Sequence, residues 1–316
     1  MAKYILKRIL GAIPLIILIS ILTFSLIQLA PYDAADTLIT PEMSPAQIEA
    51  RKAEFGLDKP VYIQYFAWAK NTLSGDFGYS IINHSDIGKA IADRLPATIL
   101  IVLPAYLVAL LLSIILGLTS GFYKGKLLDR IVDGMTSLII AMPSFWVALL
   151  FIYFFSLKLG ILPSIGMYTP GAEASLSDLI HHMILPCSTL TIAFLPQMVK
   201  YVRNSTIGQL SEDYVLVQKT YGATNKDILF KHVLKNALLP LITLIGMSLP
   251  TLVTGAFVTE SIFAWPGVGP YFLSAINAFD YPVILTILIL SSTMVILGNL
   301  LADVLYRLID TRIKDI

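Results

Sequence analysis

The chain has 316 residues, 56% of them hydrophobic and 14% charged, with a mean hydropathy of +0.78. A soluble globular domain carries about 25% charged residues, so this composition calls for lipid as the solvent. A formal net charge of +1 without a basic run excludes nucleic acid as a partner, and a lone cysteine, Cys187, excludes a disulfide framework or a CxxC metal or redox motif within the chain.

Six nearly charge-free blocks, at 9–30, 97–119, 136–159, 183–199, 238–258 and 283–301, are each long enough to cross a hydrocarbon core about 30 Å thick. They are apolar on every face, not on alternate residues, which predicts helices and excludes a membrane β-barrel. The expected fold is therefore an all-α integral membrane protein with six transmembrane helices. Residues 1–8, with Lys3, Lys7 and Arg8, look like the charged start of a secretory signal. The apolar run after them exceeds the usual core of such a signal, so it reads as a retained first span.

Of the 22 lysines and arginines, 15 fall at the amino end, in the loops at 120–135 and 200–236, and at the carboxyl end. Six of the others lie in the long loop 31–96, and long loops cross membranes largely regardless of charge. This bias predicts both termini in the cytoplasm. The outer loop 31–96 carries two helix signals, Ser44-Pro45 leading into a stretch up to Phe55-Gly56, and 62–73. Together they predict a small cap outside the membrane, with turns at Gly75 and Gly78. The rest, 97–316, reads as one membrane core without a soluble domain, low-complexity tract or internal repeat.

The loop 200–236 is the most informative. Ser211 is placed as a helix N-cap with Glu212 and Asp213 in the first turn. Gly222 ends that helix, and Thr224-Asn225-Lys226-Asp227 starts another by a capping box. Tyr214, Val217 and Tyr221 recur at helical spacing and form an apolar stripe beside Gly222 and Ala223. It either packs on the span ends or docks another protein.

These residues and the segments around them resemble the permease subunits of the ABC importers of dipeptides, oligopeptides and nickel. The resemblance covers nearly the whole chain: Gly56-Leu57-Asp58-Lys59-Pro60, Gly75-Asp76-Phe77-Gly78-Tyr79-Ser80, Leu95-Pro96-Ala97-Thr98, Pro143-Ser144-Phe145-Trp146, Asn236-Ala237-Leu238-Leu239-Pro240 and Glu260-Ser261-Ile262-Phe263-Ala264-Trp265-Pro266-Gly267-Val268-Gly269. It implies that 97–316 is the type I permease core and that 200–236 is the EAA loop, whose coupling helix enters a cleft of an ATPase subunit. Gly222 matches the glycine of that motif. Leu216, Val217 and Gln218 stand where the family has Glu-Ala-Ala, and Leu239-Pro240 comes farther on than the usual Leu-Pro.

The resemblance also implies the partners: a second, homologous permease subunit, two ATPase subunits and an extracellular solute-binding protein, with membrane lipid around them. The expected place is the cytoplasmic membrane of a prokaryote. No GxxxxGK[ST] occurs, so ATP and magnesium would be used by the partners, and this chain is expected to bind no cofactor. The cargo expected is a di- or oligopeptide, with nickel or a metal chelate as the alternative.

The resemblance places Glu260, Phe263, Trp265, Pro266, Gly267 and Gly269 at the external mouth of the pathway, as gate or brace; Trp265 could equally anchor at the interface. His181 and His182, with Asp178, are of the ligand type a nickel site needs, but adjacent histidines do not readily face one ion. Pro143, Pro186, Pro196 and Pro250 interrupt spans, as in a conduit wall. An ion-coupled secondary transporter would need charges at mid-depth or inverted repeats, and a membrane enzyme a constellation of reactive side chains. Neither pattern is present.

Overall fold

The computed structural model describes residues 2–29, 43–54, 56 and 58–309. The start of the outer loop at Pro31, Phe55, and the carboxyl-end residues Arg312 and Lys314 lie outside the described residues. Among the described residues the chain is helical, with one isolated bridge between Tyr79 and Asp86 and no strand.

In chain order, α1 is Ala2–Gln28, α2 Pro45–Glu54, α3 Val61–Leu73 and α4 Ile87–Phe122. Next come α5, Leu127–Ala141, and α6, Ser144–Phe151, which continues as a π-helical turn over Ile152–Lys158. α7 is Leu176–Leu210 and α8 Asp213–Thr220; α9, Asn225–Asp227, passes through a second π-helical stretch, Ile228–Val233, into α10, Leu234–Ala237. α11 is Leu239–Thr254, α12 Phe257–Ile262, α13 Val268–Asn277 and α14 Tyr281–Ile309.

Among the described residues four stretches are long and apolar enough to cross a membrane: Ile87–Phe122, Leu176–Leu210, Asn225–Ile262 and Tyr281–Arg307. The pair Leu127–Ala141 and Ser144–Lys158 makes a fifth if its 99° bend lies within one span. The expected first span falls on α1, whose described apolar stretch, Leu10–Ser25, is shorter than these.

Of the four prolines expected to interrupt spans, only Pro143 stands at a break. It is the N-cap of α6, and its missing N–H and fixed φ suit that first-turn position. Pro186 and Pro196 lie inside an unbroken α7 and Pro250 inside α11. In hydrocarbon a helix is held by the lack of any alternative partner for its backbone, so a proline alone does not end it.

The chain divides into two compact units. The first holds residues 1–98, 250–257 and 266–296. Its core joins Ile87 and Ile91 of α4 to Val268 and Ala275 of α13 and Val283 and Ile287 of α14. The Gly75–Ser80 segment turns twice through glycines with positive φ (Gly75 +82°, Gly78 +75°). It then delivers the Ser80 hydroxyl to Asp280 at 2.5 Å, and the same carboxylate accepts from the Ile81 N–H at 3.2 Å.

The second unit holds 99–249, 258–265 and 297–316. Here α4 and α7 touch backbone to backbone. A Cβ on Gly117 would stand 2.5 Å from Cβ of Val202, and one on Gly121 would stand 2.7 Å from Cβ of Thr206. Small residues four apart are what close helix contact in lipid requires, because no hydrophobic effect drives spans together there. Gly246 and Gly298 meet in the same way, each occupying space that a methyl group on the other would overlap. The break between α5 and α6 leaves an opening of about 270 Å³, lined by Met142, Ser144, Thr189, Pro196 and Gln197 among others.

Candidate functional site

The loop joining α7 to α11 folds as helix, elbow and helix. Ser211 closes α7 as its C-cap instead of opening the next helix, and Glu212, extended at φ −76° and ψ 147°, takes the N-cap of α8. The shift by one residue comes from α7 running on to Leu210. Asp213 then stands in the first turn of α8, where its charge meets the exposed amide ends.

At the far end Gly222 adopts φ +81°. Its N–H reaches the Lys219 carbonyl at 3.0 Å, and the Ala223 N–H reaches back to the Gln218 carbonyl at 3.0 Å. These two bonds form the Schellman arrangement, which satisfies the last carbonyls of a helix and needs a left-handed residue at the Gly222 position. Two residues on, Thr224 Oγ1 accepts from the Asp227 N–H at 3.2 Å and donates to Asp227 Oδ2 at 2.5 Å. Asp227 Oδ1 also pairs with Lys231 Nζ at 2.5 Å. A stop and a start thus face each other across a single residue, Ala223, so α8 is held at a fixed angle to α9.

The stripe foreseen on α8 divides. Val217 and Tyr221 point outward, Tyr221 with 84% of its surface exposed. Tyr214 turns inward, its hydroxyl donating to Gln209 Oε1 at 2.9 Å, and burial pushes that hydroxyl above the ordinary phenol range. Beside it Val215 is 1% exposed. Val215, Ile228, Val233 and Ala237 join Leu118 of α4 and Met198 and Val202 of α7 in one core. Full burial of a side chain such as Val215 or Ile228 outside lipid is worth about 1.5–3 kcal/mol. The loop is therefore fastened to two long helices on its inner side. Its outer side offers Leu216, Val217, Tyr221 and Phe230, all exposed.

A second group that single-residue reading did not pair stands close by. Asp129 of α5 accepts from Arg203 Nε and Nη2 of α7 at 2.6 and 2.9 Å, from Ser120 Oγ of α4 at 2.6 Å and from the Gly125 N–H at 2.7 Å. This fork-to-fork pair ties three helices at the end from which the loop departs. The Gly117 and Gly121 spacing was the readable signal for where α4 meets α7.

The residues placed at the mouth separate by unit. Glu260, Phe263 and Trp265 belong to the second unit and are all buried, Phe263 against Ala148 and Leu185. The Trp265 N–H closes on the Glu260 carbonyl at 2.8 Å around Ala264, at φ +46°. Burial of Trp265 removes it from the role of an interfacial anchor. Pro266, Gly267 and Gly269 belong to the first unit; there the adjacent Val268 N–H donates to Thr98 Oγ1 at 2.9 Å.

The histidine pair serves the loop 160–175. His181 Nε2 donates to the Ile161 carbonyl at 2.8 Å and His182 Nδ1 to the Gly166 carbonyl at 3.0 Å. Asp178 accepts from the backbone and hydroxyl of Thr169, both at 2.7 Å. Among the described residues no group of three or more His, Cys, Asp or Glu side chains could hold a metal ion.

Residues 111–315 match the family model described as binding-protein-dependent transport system inner membrane component, and residues 1–102 match the model for the amino-terminal part of such membrane components. The chain is 37% identical over 315 residues to the oligopeptide transport system permease protein AppB of Bacillus subtilis, covering 99% of this chain and all of that one. It is 35% identical to a putative peptide permease protein of Brucella suis over 317 residues, and 33% identical to the glutathione transport system permease protein GsiC of Salmonella choleraesuis over 316 residues. Each of these two alignments covers 99% of both chains. A chain of spanning helices, matched end to end in this way, belongs to the binding-protein-dependent inner membrane components: it is a multi-pass permease subunit of a bacterial ABC importer.

Proposed function

We propose that this subunit carries small peptides across the cytoplasmic membrane, and that the α8 elbow is the point at which an ATPase subunit drives it. The observation that carries the reading is the two-sided loop, with Val215 and Ile228 locked into the core shared with α4 and α7 and Tyr221 and Leu216 left outside. A coupling element needs that combination. It must be stiff toward the spans and apolar toward a partner, since a ligand shifts a two-state packing only through its differential affinity for the two states.

The basic-residue bias favours the cytoplasmic side for this loop, where ATP is available. Nucleotide-driven closure of two ATPase subunits would move α8, and Arg203, Asp129 and the Gly117–Val202 contact would pass that motion to α4, α5 and α7 as one body. A second permease completes the conduit, and an extracellular binding protein delivers the cargo. ATP and magnesium stay with the ATPases.

A peptide is favoured as cargo because the relatives described above are named for oligopeptide, peptide and glutathione transport. Nothing in the described residues favours nickel, since both histidines of the 181–182 pair are engaged with backbone carbonyls. The test is reconstitution of this chain with its second permease and both ATPases in proteoliposomes, with binding protein outside. ATP-dependent uptake of a labelled dipeptide is expected. Uptake by this chain alone, or of nickel but no peptide, would overturn the proposal.

A further inference from the structure

Among the described side chains of α1, only Ser20 and Phe24 are buried, each 7% exposed, whereas Ile17, Leu18, Ile21 and Leu22 around them are open. What covers the two is α3. The Ser20 hydroxyl donates to the Ile17 carbonyl at 2.8 Å, so the Tyr65 hydroxyl donates to Ser20 Oγ, also at 2.8 Å. The Phe24 ring meets Tyr65 edge-on at 5.6 Å and Trp68 at 5.7 Å. Nearer the end of α1, Gln28 Nε2 donates to Gln64 Oε1 at 3.2 Å.

These contacts fix a depth. α1 carries no charge from Ile9 to its end at Gln28, and Ser20 stands about 12 Å back from Gln28 at 1.5 Å of rise per residue. That distance reaches well into a leaflet whose apolar half is about 15 Å thick. A helix that hydrogen-bonds Ser20 and stacks on Phe24 must share their depth.

The composition of α3 agrees. It has one charged residue, Lys70, no acid, and four aromatic rings in 13 residues. Tyr65 and Trp68 face α1, while Tyr62, Phe66 and Leu73 recur at helical spacing on another face and are 63%, 67% and 89% exposed. Rings with polar tips gather at the boundary between headgroups and acyl chains, and a lysine stem can reach from there to water.

We propose that α3 is an interfacial helix, seated in the lipid leaflet at the Gln28 end of α1 with Tyr62, Phe66 and Leu73 among the acyl chains, and not part of a water-exposed cap. Fastened to α1 at that depth, it holds the outer loop at a set height. The proposal rests on α1 being a span.

The test uses the assembled transporter in lipid nanodiscs, in a Cys187→Ser background, with a nitroxide attached in turn through Tyr62→Cys, Phe66→Cys, Leu73→Cys, Asn71→Cys and Leu22→Cys. Relaxation by oxygen, which partitions into lipid, is compared with relaxation by a water-soluble nickel chelate. At positions 62, 66 and 73 the oxygen effect should exceed that of the chelate at least fivefold, as it should at 22 on α1, with the order reversed at 71. Chelate-dominated relaxation at 62, 66 and 73 with oxygen dominance kept at 22 would overturn the proposal alone. Protection from both reagents would mean a protein partner covers the face, and would also overturn it. Chelate dominance at 22 would remove the span and the proposal together.

Discussion

Arg203 grips Asp129 with two parallel bonds, Nε to Oδ1 at 2.6 Å and Nη2 to Oδ2 at 2.9 Å, while Ser120 and the Gly125 amide fill the remaining acceptor positions of the carboxylate. Every group in the cluster is matched, so removing one partner strands the other. Loss of one member of a buried pair costs about 3–5 kcal/mol; with 20% of the Arg203 side chain exposed, roughly 2–3 kcal/mol is expected for Asp129→Ala. Arg203→Lys keeps the charge but loses the fork and should cost less. Thermal unfolding of the purified subunit in detergent reads both.

Gly246 and Gly298 face each other so closely that a methyl group on either would overlap the backbone of the other. Backbone cannot step aside as a flexible side chain can, so Gly246→Ala and Gly298→Ala should each destabilise by about 1–3 kcal/mol. Gly134→Ala, inside α5 where an added Cβ meets nothing within 4 Å, should be stabilising by about 0.5–1 kcal/mol. Melting temperatures of the three variants in one detergent check the contrast.

Gly222 is left-handed at φ +81°, with open space where a Cβ would go. The cost of substitution there is conformational, about 1–2 kcal/mol for an L residue, and greater for a branched one. Gly222→Val should leave membrane insertion unchanged while lowering ATP-driven uptake at least tenfold. Uptake per mole of inserted protein is the measurement, and normal uptake would show that the elbow is not a lever.

The Asp227 carboxyl is held down at about 2, first by Lys231 and next by the Thr224 hydroxyl. A lowered carboxyl adds stability that is complete above its unfolded value of about 4 and disappears as pH falls through the folded value. Pepsin should therefore cut the 211–237 loop more slowly in the native chain than in Asp227→Asn at pH 4.5, and the two rates should converge toward pH 2. Thr224→Ala, which removes the cap itself, should cost about 1 kcal/mol at neutral pH.

How much was legible in the sequence depends on how local the physics is. Charge-free runs mark long helices because lipid excludes charge wherever the helices pack, and Gly222 and Thr224 mark the elbow because stops and caps are set by a few neighbouring atoms. Val215 was passed over because α8 is only eight residues long, too short for its pattern to separate the inner face from the outer one. Its burial depends on Leu118, Met198 and Val202, more than ten residues away in sequence. The same distance hid the pairing of Asp129 with Arg203. Pro143 breaks its helix while Pro186 and Pro196 do not, a difference that residue type alone does not encode.

The central claim is that the exposed face of the α8 elbow is covered by an ATPase subunit on the cytoplasmic side. Tyr221→Cys in a Cys187→Ser background, treated with a membrane-impermeant maleimide in inside-out vesicles, tests it most directly. The account predicts rapid labelling when the permease subunits are alone and at least tenfold slower labelling when the ATPase pair is bound. Labelling only from the opposite face of the membrane, or at one rate with and without the ATPases, would contradict it.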